Sequence, residues 1–198
     1  MFFLPVYVSE KTQMGNVQEA IHHGIIAPDF LWTTKRVVQA IELWNECLIL
    51  LNNKALQSQH KLAREGSIAL YRRLFYGNTA IKKRSSAIES GKKLLVLLRN
   101  CDRKKEEGKT ALNLSTLYHQ KGEYKEAQAF LERALCVNKE IEDKDGEASC
   151  YRNLGALLSS VGQYAKAGEY LHKAFTINTE IGDKHREASC YVILGTVF

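Results

Sequence analysis

The chain has 198 residues, 45% of them hydrophobic and 25% charged, which suits one or two small domains or a short solenoid. Its two prolines, Pro5 and Pro28, leave everything after residue 28 free of helix breakers, and an all-β chain would need far more turn punctuation. The net charge of +6 is uneven: residues 1–110 hold 18 Lys/Arg against 10 Asp/Glu, residues 111–198 hold 10 against 12, and a compositional boundary falls near residue 110.

Residues 1–30 form a poorly defined N-terminal segment with no period. Its apolar start, Phe2 to Val8, lacks a basic leader and a small-x-small cleavage pattern, so it reads poorly as a secretory signal. Residues 31–106 are expected to be helical. Val37-Val38-Gln39-Ala40-Ile41-Glu42-Leu43-Trp44, continuing to Leu51, has the apolar spacing of a helix. The longest unbroken apolar runs, Cys47–Leu51 and Leu94–Leu98, fall far short of the roughly 20 residues that cross a bilayer, so no membrane partner is expected. The basic clusters Lys82-Lys83-Arg84 and Arg103-Lys104-Lys105 are expected at helix ends or connections, where solvent and a helix C-terminal dipole favour cations. No nucleic-acid module accompanies them, and no nucleic-acid partner is expected.

From residue 107 the sequence repeats itself at an offset of 40. Gly122-Glu123-Tyr124 returns as Gly162-Gln163-Tyr164, Asn113-Leu114 as Asn153-Leu154, and Ala127, Leu131 and Ala134 as Ala167, Leu171 and Ala174. Glu147-Ala148-Ser149-Cys150-Tyr151 begins a third copy as Glu187-Ala188-Ser189-Cys190-Tyr191. Each unit reads as two helices. Ala148, Tyr151, Leu154, Gly155 and Leu158 form one apolar stripe, Gly162 marks the turn, and Tyr164, Ala167, Leu171, Ala174, Phe175 and Ile177 form the facing stripe. Gly155 and Ala167 let the backbones approach, with Tyr151, Tyr164 and Leu171 expected to fill the gaps around them. Helices of about 14 residues are marginal alone in water, so the stripes must bury against each other and against the next hairpin.

These positions resemble the tetratricopeptide repeat (TPR) signature: an aromatic, Leu-Gly, Gly-x-Tyr, then Ala-x3-aromatic or Leu-x2-Ala. Here it reads Tyr151, Leu154-Gly155, Gly162-x-Tyr164, Ala167, Leu171, Ala174, and one copy earlier Ala111, Leu114-Ser115, Gly122-x-Tyr124, Ala127, Leu131, Ala134. The long period, with Asn-Leu-Gly and Glu-Ile-Gly-Asp, is similar to the repeats of LGN/Pins-type polarity adaptors and of large animal multi-TPR proteins. The resemblance covers about 107–198 and implies an all-α fold, a right-handed superhelical stack of antiparallel helix hairpins, with two full repeats and the first helix of a third. Subtracting 40 places Tyr71, Leu74, Ala87, Leu94 and Leu95 on the signature, which makes 61–106 a degenerate hairpin.

The resemblance also implies a groove lined mainly by first helices. Its candidates are Lys109, Asn113, Thr116 and His119 in one repeat and Ser149, Arg152, Asn153 and Ala156 in the next. An Asn amide there can hydrogen-bond an extended peptide backbone, and Arg152 can take a carboxylate; each of these residues is equally a solvated member of a helix face. A chaperone-tail clamp is not expected, since Arg152 alone has its chemistry among Leu112/Thr116, Arg152/Ala156 and Val192/Thr196. Catalysis has no support, because the six histidines show no metal spacing and no nucleophile or phosphate motif occurs. No metal and no cofactor are expected. The five cysteines, an odd number without ligand spacing, read as small buried hydrophobes in a reducing, cytoplasmic setting.

The sequence therefore reads as a non-catalytic scaffold for a protein or peptide partner, or alternatively as a structural spacer or oligomerising fragment of a larger multi-TPR protein. The third copy stops after its first helix. Without its partner it leaves Tyr191, Leu194 and Val197 uncovered: either this helix is itself the cap or the sequence is a fragment of a longer array, and if it is exposed, concentration-dependent self-association is expected.

Overall fold

The computed structural model describes residues 36–51 and 60–195, and every regular element among them is a helix. They are α1 (Val37–Leu51), α2 (His60–Ala80), α3 (Arg84–Asn100), α4 (Lys104–Lys121), α5 (Tyr124–Glu140), α6 (Lys144–Ser160), α7 (Tyr164–Glu180) and α8 (Lys184–Gly195). The N-terminal segment 1–30, with His22 and His23, lies outside the described residues, as does Val197. The chain divides into two compact units, one up to Leu97 and one from Leu98. The all-α hairpin architecture expected from the repeat is the one found.

A single device ends helix after helix. Lys82, Asp102, Gly122, Glu142, Gly162 and Gly182 all take left-handed backbone, with φ between 53° and 79°, and they stand at a constant interval along the chain. After each, the next amide donates to a carbonyl five residues back: Glu123 N to Tyr118 O at 3.0 Å, Asp143 N to Asn138 O at 2.9 Å, Asp183 N to Asn178 O at 2.9 Å. This closure satisfies carbonyls that a helix end otherwise leaves bare, and it turns the chain back. The restarts are capped by a side chain where the sequence supplies an aspartate, and not by Glu123. Asp143 Oδ1 accepts from Gly146 N and Asp183 Oδ1 from Arg186 N, each at 3.0 Å.

In the first unit α1 packs on α2, with Trp44, Ile68, Leu70 and Phe75 fully buried. In the second unit α4 pairs with α5 and α6 with α7, while α5 leans on α6 and α7 on α8. Ala127, Ala134, Ala167 and Ala174 have no exposed surface. Gly155 meets α7 so closely that a Cβ there would stand 2.6 Å from Leu171 Cγ and 3.2 Å from the Ala167 carbonyl. The small residues therefore set the helix separation, as their pattern implied. Tyr164 differs from expectation. It is about half exposed, because it opens α7 in the first turn, ahead of the stretch that lies against α6.

A second set of buried residues joins one hairpin to the next. Asn138, near the end of α5, is buried with its amide within 3 Å of where Cβ atoms on Gly108 of α4 and Gly146 of α6 would stand, and its Nδ2 donates to Cys150 Sγ at 3.4 Å. Forty positions on, Asn178 Nδ2 lies 3.6 Å from Cys190 Sγ. Glu107, buried at the start of α4, pairs with Arg133 of α5 and with Arg99 at 3.7 Å. Its repeat counterparts Glu147 and Glu187 pair with Lys144 at 3.2 Å and Lys184 at 2.9 Å.

Two expectations need correction. Arg103, Lys104 and Lys105 open α4 rather than close a helix, so they stand at the positive end of its dipole. Neighbouring acids offset this: Glu106 and Glu107 lie in the same turn, and Glu140 accepts from Lys104 Nζ at 2.6 Å. The cysteines are not uniformly buried. Cys47, Cys150 and Cys190 are, Cys101 is half-buried, and Cys136 faces solvent on α5.

Candidate peptide-binding site

Spacing of three and four residues along α4 puts Lys109, Leu112, Asn113, Thr116 and His119 on one stripe, and α6 repeats it with Ser149, Arg152, Asn153, Ala156 and Ser159. The two helices lie beside one another in the stack. Lys109 and Thr116 are exposed, while Asn113, His119, Ser149, Arg152, Asn153 and Ala156 are half-buried, accessible but backed by protein. Thr116 turns its hydroxyl onto the Leu112 carbonyl at 3.3 Å, so its methyl and oxygen are held in one rotamer.

One hydrogen bond ties the two stripes together. His119 Nε2 lies 2.9 Å from Ser160 Oγ, and the single Ser160 hydroxyl proton already goes to the Ala156 carbonyl at 3.0 Å. With the Ser160 proton on that carbonyl the serine oxygen accepts from His119 Nε2, and in the other tautomer the hydroxyl turns to donate to the ring. The His119 ring also stands 5.7 Å from the Tyr124 ring at the hairpin mouth. Ser160 is a residue that the sequence reading passed over, since it lies one position beyond the stripe. Its link to His119 spans 41 residues, one more than the repeat, which is the only signal that could have suggested it.

Arg152 makes no ion pair among the described residues, although acids are plentiful in the same unit. Asn153 makes no side-chain hydrogen bond among the described residues. Beside these stripes an open cleft runs between the start of α5 and the end of α6, lined by Tyr124, Gln128, Leu157 and Val161. Tyr124 and Val161 are both exposed there. Amides, a guanidinium and exposed aromatic surface can together hold a peptide by backbone hydrogen bonds, a carboxylate contact and apolar packing.

The buried thiols of α6 and α8 are not activated. Burial pushes the Cys150 thiol up to about 11, more than its hydrogen bond from Asn138 lowers it, and burial likewise raises Cys190. A thiol so raised stays protonated and inert at neutral pH. Among the described residues no cluster of His, Cys, Asp or Glu is placed to hold a metal ion, and no helix is long and apolar enough to cross a membrane.

The tetratricopeptide repeat family model matches residues 106–177, the stretch from the first turn of α4 into the last turn of α7. Over that stretch the chain is similar to the tetratricopeptide repeat family. Solved structures agree on the fold. BtubC from P. vanneervenii superposes with a TM-score of 0.69 at 16% identity, over 98% of this chain and 80% of its own. The apo form of RapI gives 0.78 at 14%, over 96% of this chain and 52% of its own. The Rap conjugation regulator of plasmid pLS20, solved with the Phr* peptide, gives 0.57 at 14%, over 91% and 53%. This chain thus spans about half the length of the two Rap proteins. No curated protein matches the sequence.

Proposed function

We propose that the TPR unit is a non-catalytic scaffold that takes a peptide or helix of a partner protein along α4 and α6. The observation that carries this reading is the tandem stripe: Asn113 and Asn153 recur at the repeat interval, and Arg152 stands among them without an ion pair from the described residues. The pLS20 Rap protein binds a peptide with a related fold, which supports the same use here. The reading needs no cofactor and no nucleic acid. Five unpaired thiols support a reducing, cytoplasmic setting. The finer likeness to LGN/Pins-type adaptors rests on the Asn-Leu-Gly pattern. Thr116 and Ala156 stand where those repeats carry a second Asn, so the same ligands are not inferred.

The test is an array of fluorescent peptides screened against the full chain and against Asn113→Ala/Arg152→Ala/Asn153→Ala. Binders of the wild type should weaken tenfold or more in the triple variant, with helicity unchanged by circular dichroism. An unaltered set of binders and affinities would remove the groove from consideration.

A second reading, self-association through α8, is favoured by Tyr191 and Val192, which are 61% and 70% exposed. Leu194 is half-buried. Sedimentation equilibrium should show mass rising with concentration, and Tyr191→Glu/Val192→Glu should restore a monomer. A wild type that stays monomeric at millimolar concentration excludes it.

A further inference from the structure

The left-handed connectors fix the register between repeats: Lys82 is equivalent to Gly122 and Gly162, and Asp102 to Glu142 and Gly182. In that register Asn78 and Ser90 of the first unit correspond to Tyr118 and Phe130. Those two rings stack with centroids 5.3 Å apart and 13° between their planes, filling the space between α4 and α5. The first unit puts an amide and a hydroxyl where the next repeat has rings, yet both residues are buried, Asn78 at 4% and Ser90 at 8% exposure. Shortening two aromatic side chains inside a helical stack leaves a void, and one is present. A cavity of about 280 Å³ opens between α1, α2 and α3, walled by Ile41, Leu74 and Tyr71 with Asn78 and Ser90.

Polar and charged side chains share the wall of this cavity with the apolar ones. Asn78 lines the cavity with a side-chain amide that can both donate and accept. Ser90 Oγ gives its proton to the Ser86 carbonyl at 2.7 Å, so its lone pairs remain to accept. The charges are balanced. Lys93 Nζ is held by Glu89 at 2.9 Å and lies 5.8 Å from the Tyr71 ring centre, and Lys83 and Glu42 contribute one more of each sign. A charged ligand gains nothing from such a set, whereas a neutral group that both donates and accepts matches an amide beside an acceptor hydroxyl. Size narrows the choice: the cavity holds far more than one water, at about 30 Å³ each, and lies just under the roughly 300–1,000 Å³ of sites for whole drug-sized ligands.

We propose that this cavity is a binding site for one neutral ring with a hydrogen-bonding tip, the side chain of a tyrosine presented by a partner protein segment. The ring takes the place that Tyr118 fills from within in the next repeat, and its phenol meets Asn78 and Ser90. The site is separate from the α4–α6 stripe and stands or falls without it.

The test is a titration of the full ¹⁵N-labelled chain with p-cresol and, as its match lacking the hydroxyl, toluene. The p-cresol should shift the Asn78 side-chain amide and the backbone of Ser86 and Ser90, and bind about three- to tenfold more tightly than toluene, the ratio one neutral hydrogen bond supports. Asn78→Leu, which keeps the volume, should erase that preference, and Ser90→Phe should block both probes. If Ser90→Phe does not fold, the Asn78→Leu comparison decides alone. Equal response to the two probes, or no shift at these residues at tens of millimolar, overturns the proposal. So would intramolecular contacts from residues 1–35 into the cavity, which would make the chain its own occupant.

Discussion

Two buried positions show how single side chains set the packing. Gly155 was legible as the small residue of a Leu-Gly pair, and the structure shows what it faces: Leu171, wholly buried and unable to retreat, and the Ala167 carbonyl. Gly155→Ala should therefore destabilise the second unit by about 1–3 kcal/mol through overpacking, even though alanine is the better helix former. Urea denaturation followed by circular dichroism measures this, and an unchanged midpoint would mean that α6 and α7 can separate freely. Asn178 points the other way. It is 1% exposed, its Oδ1 is buried with no partner among the described residues, and the same register is held in the first copy by Leu98. Asn178→Leu should raise stability by about 1 kcal/mol by removing an unsatisfied acceptor. Nothing in the sequence pattern flags this, because Asn138 and Asn178 stand at equivalent positions of successive repeats, and only the structure shows Asn138 wedged by Gly108 and Gly146.

At the scale of the helix, the turns were read from Gly122 and Gly162, and the glycine-free turns gave no such mark. Lys82, Asp102 and Glu142 adopt the same left-handed backbone as the glycines because the carbonyls behind them need the same closure. A side chain in that region is strained by about 1–2 kcal/mol, while glycine has an entropic cost in the unfolded chain. Glu142, exposed and without an ion pair among the described residues, is the cleanest place to weigh the two. Glu142→Gly should stabilise by about 0.5–1 kcal/mol, seen as a higher urea midpoint at unchanged slope. A lower midpoint would show that the unfolded-chain term dominates. The same logic explains why the degenerate hairpin 61–106 was only partly legible: its register survives in backbone geometry at Lys82 and Asp102, where the side chains no longer announce it.

Over the chain as a whole, the sequence yielded the helices and their pairing because every stripe repeats, whereas two polar links were hidden because one partner of each lies off the stripes: Arg133, which pairs with Glu107 within the α4–α5 hairpin, and Ser160, which meets His119 across hairpins. The same off-stripe burial makes stability depend on pH in a way composition did not suggest. Cys47 and Cys150 are each pushed up to about 11, by burial above all, from about 9 in an exposed thiol. A group that holds its proton more tightly when folded contributes fully below the unfolded value, and the contribution fades as pH climbs from about 9 to 11, because the unfolded state then releases protons that the folded state keeps. Stability should therefore fall across that window. Paired lysines such as Lys139, raised chiefly by its hydrogen bond to Tyr151, add a loss of the same sign at the upper end. Cys47→Ala/Cys150→Ala separates the two sources: its urea midpoint, lower at pH 7 from lost packing, should decline less steeply between pH 9 and 11 than that of the wild type. Thiol labelling gives an independent check. Exposed Cys136 should react with a disulfide reagent at once under native conditions, and Cys47 and Cys150 only as the chain unfolds. Equal alkaline slopes in the two proteins, or prompt labelling of Cys150, would show that these thiols are not held in the protonated, buried state on which the argument depends.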